Sequence, residues 1–568
     1  MTTASESVSA YRDVESELTG PGGPFAVVEA SVGGESVRVF RDAPTSFDVV
    51  FTELVEEFAD QTLIIEDGIS HTYRAVSDAA GRLAASLARE SGVRDGDRVG
   101  IAMKNRMAFI VSLIAIGRCG AVAVLFNSRE SEAELAGAAT DAQCVAIVAD
   151  ENRAAKIRAR DERTELVVVG DGDLPSGPTQ SYDEFVTGSE SITARTVPEP
   201  DSPSWILFTS GTSGRSKGVL LTHRNVCTLV MNLRLMKEVN LGVNARKYGM
   251  EPDAIRQMMP KLSALLVFPL FHTSGLASLL TTTASGGFVV IMPRWNPEAA
   301  IDLIAEHKLA MFAGPPMVIV DLLAAEPPAE KLATLINVTA AGQATPPDLV
   351  SRIGRDLPAS GRAVGWGMTE TTANVCAAGG DLLAANPGTS GTPSPVMDIR
   401  VVDALGEVLD APGATGEFQV RGPQVMSGYL NRPEETAAVF DGSWYRTGDI
   451  GYLDENGLVF VVDRKKDIVI TAGENVYCAE VEFTLLQSER FTEVAVFGAP
   501  DDRMGERLIA AVTLADGVVA TADDVRDIVR ESLAEYKVPA EIVFNLGPFP
   551  RNATGKILKR KIRENYLS

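Results

Sequence analysis

Phe208-Thr-Ser-Gly-Thr-Ser-Gly-Arg-Ser-Lys-Gly-Val219 is a hydroxyl- and glycine-rich run ending in a lysine, and it follows the strand-like Pro203-Ser-Trp-Ile-Leu-Phe208. Such a loop can fold around a phosphate. Gly211, Gly214 and Gly218 let the backbone turn and approach an anion closely, Thr209, Ser210, Thr212 and Ser213 add hydroxyl donors, and Lys217 adds charge. It is not a Walker A loop, which needs Gly directly before the lysine and Ser or Thr directly after; here Ser216 precedes Lys217 and Gly218 follows it. A flexible surface turn would explain the glycines and serines taken alone.

Working outward, further motifs follow in order: Pro269-Leu-Phe-His-Thr-Ser-Gly275, Gly365-Trp-Gly-Met-Thr-Glu370, Tyr445-Arg-Thr-Gly-Asp449, Asp463-Arg-Lys-Lys-Asp467, Gly473-Glu-Asn-Val-Tyr-Cys-Ala-Glu-Val-Glu482 and Asn552-Ala-Thr-Gly-Lys-Ile557. Upstream lie Thr72-Tyr-Arg-Ala-Val76, Asp95-Gly-Asp-Arg-Val99 and Gly120-Ala-Val-Ala-Val-Leu-Phe-Asn127. In content and order this set resembles the adenylate-forming (AMP-binding) superfamily, which comprises acyl-CoA synthetases, peptide-synthetase adenylation domains and beetle luciferases. Within it the chain looks most like the acyl-CoA synthetase branch and its fatty-acid–CoA ligases.

Bulk properties agree with that setting. A chain of 568 residues with 45% apolar residues can bury several cores and is too long for one ordinary domain. A formal net charge of -24 argues against a nucleic-acid-binding surface, so anionic ligands must be held by local positive charge. The cysteines at 119, 144, 227, 376 and 478 lack metal-ligand or CxxC spacing and read as reduced thiols, which points to a cytoplasmic enzyme. No secretory signal opens the chain, and the apolar run from Phe109 to Phe126 is broken by Arg118, Gly117 and Gly120, as where a buried helix hands over to a buried strand. No transmembrane segment is expected.

Residues 1 to about 24 are polar and expected to be frayed. Phe25–Val32 and Ser36–Phe40 flank Gly33-Gly-Glu and read as a hairpin, in which Ser36 sits in a strand rather than at the serine site of a carrier domain. From about 71 to 345 helical patterns alternate with short runs such as Cys144–Val148, Glu165–Val169 and Phe288–Ile291, which implies stacked β/α units with parallel sheets. Between Ser390 and Val462 strands dominate, suggesting a small β-rich subdomain. The expected fold is therefore α/β: a large amino-terminal domain over 1–463 of stacked β/α subdomains plus the β-rich one, then a small mobile α+β carboxy-terminal lid over 464–568.

The resemblance implies a reaction and a site. A carboxylate and ATP give an acyl adenylate and pyrophosphate, and CoA then takes the acyl group; ATP, Mg²⁺ and CoA are the expected small molecules. The loop at 209–218 would hold the β- and γ-phosphates. Glu370 would contact Mg²⁺ and Thr369 would bond near the α-phosphate, although both residues also suit an ordinary helix start. Trp366, flanked by Gly365, Gly367 and Met368, stands where a tyrosine is common and offers a face for adenine; core packing is the other reading. Gly342, Gln343 and Ala344 resemble the segment lining the other side of adenine. Asp449 would accept the ribose hydroxyls, aided by Arg464, against the reading of a turn residue after Gly448. Lys556 would span the attacking carboxylate and the α-phosphate. Lys559, Arg560, Lys561 and Arg563 continue the charge and read mainly as a solvated helix face. The lid would rotate about Lys466, carrying Lys556 away and bringing Gly473 to the pantetheine arm, while Glu480 and Glu482 stabilise the lid.

His272 sits where amino-acid-activating relatives carry an aspartate, which argues against amino-acid substrates; a catalytic position beside the acyl carboxylate and thiol entrance competes with that of a satisfied buried histidine. Ser216 and Cys478 replace frequent prolines, and the first leaves the loop looser because proline restricts φ. The polar stretch from Lys237 to Lys261 reads as a surface excursion, or else as a lid on the acyl tunnel. The expected substrate is a medium- or long-chain fatty or related apolar acid, with aryl acids second. Rival readings are an acyl-adenylate ligase serving a separate carrier protein or an amine, and a nucleotide-binding scaffold or sensor without turnover. A homodimer is left open.

Overall fold

Alternating strand and helix signals from 62 to 340 become two mixed sheets with parallel centres; the nine-stranded one is antiparallel at both edges, the eight-stranded one at one edge only, its other edge strand Thr179–Ser181 pairing in parallel. The computed structural model describes residues 3–567 apart from positions 171, 173–174, 189, 193–197, 210–215, 293, 342–346, 358–359, 472–473, 502, 545–546 and 553–554. One sheet has eight strands and includes Arg98–Ala102, Val122–Leu125, Ala146–Asp150 and Pro203–Thr209; the other has nine and includes Thr62–Glu66, Ser263–Leu266, Phe288–Ile291, Met311–Gly314, Asn337–Ala340 and Gly361–Met368. Parallel strands buried on both faces need apolar runs, and Val122–Leu125 and Ser263–Leu266 are buried at every position.

The main core lies around the helices Tyr73–Arg89 and Met107–Arg118, where Tyr73, Leu83, Phe109 and Leu113 meet Leu125 and Trp205. The second helix is the apolar run that ends at Arg118, and Gly120, at φ 70°, turns the chain into the next strand. The Arg118 guanidinium is itself buried, bonded to Asp48 at 3.1 Å and to Ser77 Oγ at 2.7 Å, so the charge that interrupts the run is satisfied. Among the described residues no helix is long and apolar enough to cross a membrane.

A five-stranded antiparallel sheet follows, from Asp398–Val402 to Val459–Arg464. Immediately beyond it, Ile468–Thr471 opens a separate five-stranded sheet with its own apolar cluster around Val481, Val496 and Leu508, covered by the helices Cys478–Leu486 and Ala522–Ser532. The fold is thus α/β, a large amino-terminal domain with a small α+β carboxy-terminal domain.

Several local expectations are met and some are overturned. The hairpin pairs Val27–Val32 with Glu35–Phe40 around Gly33 and Gly34 at φ 61° and 88°, a two-residue turn that demands positive φ at both positions; Ser36 lies opposite Ser31 in the ladder. The start of the chain is not frayed: Ala4–Thr19 is a helix with a Thr3–Glu6 capping box, and Val8, Tyr11 and Val14 bury one face against Met231, Leu235 and Val239. That apolar stripe, spaced by three, was present among the polar residues. The 237–261 stretch is a surface excursion only in its second half, because its first half completes the 26-residue helix His223–Tyr248, capped by Gly249 at φ 62°. A short helix, Pro252–Met258, then leaves Met258 73% exposed. Among the described residues no cysteine forms a disulfide, and all five but Cys144 are buried.

Candidate functional site

The phosphate-loop hairpin is antiparallel, with Thr209 opposite Lys217 and Phe208 opposite Gly218. Ser210, Gly211, Thr212, Ser213 and Gly214 lie outside the described residues, as do Gly342, Gln343, Ala344 and Gly473. Gly218 serves a different purpose from the expected turn. It is a strand residue, and a Cβ there would come within 3.0 Å of Ile206 Cγ2 and 3.2 Å of Leu430 Cβ, so glycine is needed for sheet packing. Lys217 is already engaged: its ammonium pairs with Glu435 and lies 5.0 Å from the centre of the Tyr429 ring.

Gly365, Trp366, Gly367 and Met368 end the strand Gly361–Met368, and Thr369 and Glu370 begin a single 3₁₀ turn rather than a helix. Thr369 is not its cap; the Thr371 hydroxyl bonds the Met368 amide and carbonyl at 3.0 and 3.2 Å. A Cβ on Gly367 would fall 1.7 Å from the Ala373 carbonyl oxygen, which explains the glycine between Trp366 and Met368. Glu370 is half-buried, its Oε1 accepting the Tyr429 hydroxyl at 3.0 Å, and burial raises its carboxyl above the usual range. Glu370 fits a Mg²⁺ site, because one carboxylate with substrate phosphates and waters is the donor set that ion accepts.

Asp449 is a strand residue, not a turn residue, and lies opposite Arg464 in the ladder. Only 2% exposed, it is bonded on both oxygens: Arg464 Nε reaches Oδ1 at 2.5 Å and Trp366 Nε1 donates to Oδ2 at 2.7 Å. Trp366 is itself buried and tilted against Phe418 at 5.1 Å between ring centres. Burial pushes the Asp449 carboxyl up, against the pull of Arg464, the Trp366 bond and Lys556.

Lys556 comes from the other domain. Its amide donates to Asn552 Oδ1 at 2.9 Å, its carbonyl accepts the Asn552 amide at 2.8 Å, and Gly555 takes φ 83° to close this tight turn. The half-buried ammonium has its pKa lowered first by burial, then by the cations Arg464 and Lys466, while Asp467 and Asp449 pull the other way. Asp449, Arg464, Lys466 and Lys556 thus share one electrostatic neighbourhood. Asp463 ties the same junction, accepting the Ala479 amide at 2.9 Å from the first turn of the helix Cys478–Leu486 in the carboxy-terminal domain. Glu480 pairs with Lys537 at 2.6 Å and Glu482 with Lys559 at 2.7 Å; Lys559 is therefore a partnered residue, not part of a solvated face.

His272 stands at the start of the helix Thr273–Thr283, its ring 4.5 Å from that of Phe271 and its covered Nε2 without a partner among the described residues. Burial, with Arg129 adding its positive field, brings its pKa down to about 4 from 6.5. Because the native value lies below the unfolded one, its contribution to stability is present above pH 6.5 and is lost as the pH falls toward 4. Between about pH 5.5 and 8 the imidazole is neutral, so the pH–rate profile of thioester formation is expected to carry no His272 inflection. An inflection near the ordinary histidine value that disappears in His272→Asn would contradict this.

Sequence reasoning missed Tyr429, Glu435 and Glu130, which touch Glu370, Lys217 and Ser216 respectively. Gly428-Tyr-Leu-Asn-Arg-Pro433 carried a turn signal and nothing that named these partners.

Residues 51–430 match the AMP-binding enzyme family, and residues 480–556 match the AMP-binding enzyme C-terminal domain. The chain belongs to the AMP-binding enzyme family. It is 33% identical over 509 residues to a feruloyl-CoA synthase of Amycolatopsis sp., covering 89% of this chain and 96% of that protein. It is 30% identical over 544 residues to a long-chain-fatty-acid–CoA ligase of Bacillus subtilis (strain 168), covering 91% and 93%. Its structure matches that of the o-succinylbenzoate CoA synthetase of Bacillus subtilis in complex with its acyl-adenylate intermediate, with a TM-score of 0.75 at 26% identity, over 90% of this chain and 97% of that one. This AMP-binding enzyme is accordingly an acid–thiol ligase that uses ATP, Mg²⁺ and CoA.

Proposed function

We propose that this ligase activates an apolar carboxylic acid, fatty or aryl, through an acyl adenylate and passes it to CoA. The observation that carries the reading is the convergence on Asp449 of Trp366 from the nine-stranded sheet, Arg464 from the β-rich sheet and the field of Lys556 from the carboxy-terminal domain. In the first step a carboxylate oxygen attacks the α-phosphorus of ATP and the bond to pyrophosphate breaks. Asp449 and Arg464 hold the ribose, Lys217 meets the outer phosphates, Thr369 bonds near the α-phosphate, and the Lys556 ammonium draws the two anions together. Mg²⁺ bound at Glu370 would supply neutralisation of phosphate charge. In the second step the CoA sulfur attacks the acyl carbonyl, AMP departs, and the domain boundary at 463/464 with its pivot at Lys466 lets Lys556 withdraw.

An apolar acid is supported by the residues near His272. Phe271 and Leu276 beside His272 share one cluster with Leu229 and Leu233 of the long helix, and the charge felt by His272 is the cation Arg129, which suits a carboxylate and not an ammonium group. The test is pyrophosphate release from ATP and Mg²⁺ across straight-chain and aryl acids, with and without CoA, and acyl products identified by mass. Acid-dependent release with acyl-CoA is expected. Release that stops at the acyl adenylate would replace CoA by a carrier protein or an amine, and nucleotide binding without release for any acid would leave a non-catalytic binder.

A further inference from the structure

The trailing end of the phosphate loop is tied down from a distant part of the chain. Ser216 Oγ donates to Glu130 Oε1 at 3.0 Å. Glu130 is 9% exposed, and its second oxygen, Oε2, is covered and has no hydrogen-bond partner among the described residues. Its backbone is fixed on both sides: the amide donates to Asn127 O at 3.2 Å and the carbonyl accepts Lys156 Nζ at 2.7 Å. The next residue, Ser131, forms a capping box with Glu134 on the helix Glu132–Ala142. Burying a carboxylate is costly, and hydrogen bonds from Ser216 and the Asn127 side chain offset part of that cost here. Burial raises its pKa, against the hydrogen bond from Ser216.

Ser216 lacks the φ restriction that a proline would bring to the position before Lys217. We propose that Glu130 is a positioning residue for ATP: through Ser216 it fixes the backbone ahead of Lys217, so that a side-chain tether supplies the order a ring would otherwise impose. The register of Lys217 opposite Thr209 then sets where its ammonium stands when it leaves Glu435 for phosphate. This rests on the reading of Lys217 as a phosphate ligand.

The experiment measures initial rates of pyrophosphate release at varied ATP and at varied acid for Glu130→Leu, Ser216→Ala, Ser216→Pro, the two doubles that contain Glu130→Leu, and Lys217→Ala. Losing a hydrogen bond to a charged group is expected to raise the KM for ATP about tenfold in Glu130→Leu and in Ser216→Ala, leaving the KM for the acid unchanged. The Glu130→Leu/Ser216→Ala double is no worse than either single, and Ser216→Pro restores the ATP KM in the Glu130→Leu background. Ser216→Ala removes one hydroxyl and keeps the fold, so it stands even if Glu130→Leu unfolds. An unchanged ATP KM in Ser216→Ala beside a raised one in Lys217→Ala would overturn the tether alone. An unchanged ATP KM in Lys217→Ala would overturn the phosphate reading on which it rests.

Discussion

Lys556→Met lowers acid-dependent pyrophosphate release by roughly a hundred- to a thousandfold, the loss typical of removing one preorganised group that meets charge developing in the transition state. Methionine keeps the length and apolar stem, so the change isolates the ammonium. That ammonium already sits beside Asp449 and Arg464, and its lowered pKa means that its cationic form is lost at a lower pH than for an ordinary lysine. Wild-type adenylation should therefore decline on the alkaline side earlier than an exposed lysine would allow, and Lys556→Met should lack that decline. Conversion of supplied acyl adenylate to thioester should be nearly unaffected if, as proposed, Lys556 withdraws for that step. The check is a pair of half-reaction rates: equal losses in both would remove the withdrawal, and a loss within a few fold in the first would remove the catalytic assignment.

Asp449→Asn raises the KM for ATP about a hundredfold, by weakening two ribose hydrogen bonds to a charged acceptor. The substitution keeps the shape and one acceptor oxygen. It removes the negative charge that faces Arg464 at 2.5 Å and offers an amide where either Arg464 or Trp366 needs an acceptor, so one donor is left unmatched. Trp366→Phe, which deletes only the donor to Oδ2, should shift the same constant by no more than a few fold. ATP titration of the two variants separates the roles: comparable effects would mean that the indole carries nucleotide binding, and no effect in Asp449→Asn would take the ribose away from this carboxylate.

Short motifs and strand-length apolar runs were readable in the chain because both are local. The run from Phe109 to Phe126 announced a buried helix and strand, and Gly33-Gly-Glu announced a hairpin, whose turn the structure narrows to Gly33 and Gly34 at positive φ. The contacts that organise the site were not local. Glu370 and Tyr429 are 59 residues apart, at different sheets, and Ser216 and Glu130 are 86 apart, joined because Val122–Leu125 and Pro203–Thr209 are neighbours in one sheet. Gly218 was misread because a loop glycine and a packing glycine look alike until the neighbour, Leu430, is known. The amino-terminal helix was misread for a related reason: its polar majority concealed a stripe whose value depends on the helix it covers, Val14 lying against Gly242.

The bond from the Trp366 indole to Asp449 also gives the enzyme an optical reporter of its own state. Indole emission responds to charge and hydrogen bonding at the ring nitrogen, and here that nitrogen faces the carboxylate assigned to ribose. If the ribose takes this carboxylate, nucleotide arrival changes the bond to the indole, and the difference in emission between wild type and Trp366→Phe, which keeps the other three tryptophans, reports filling of the pocket.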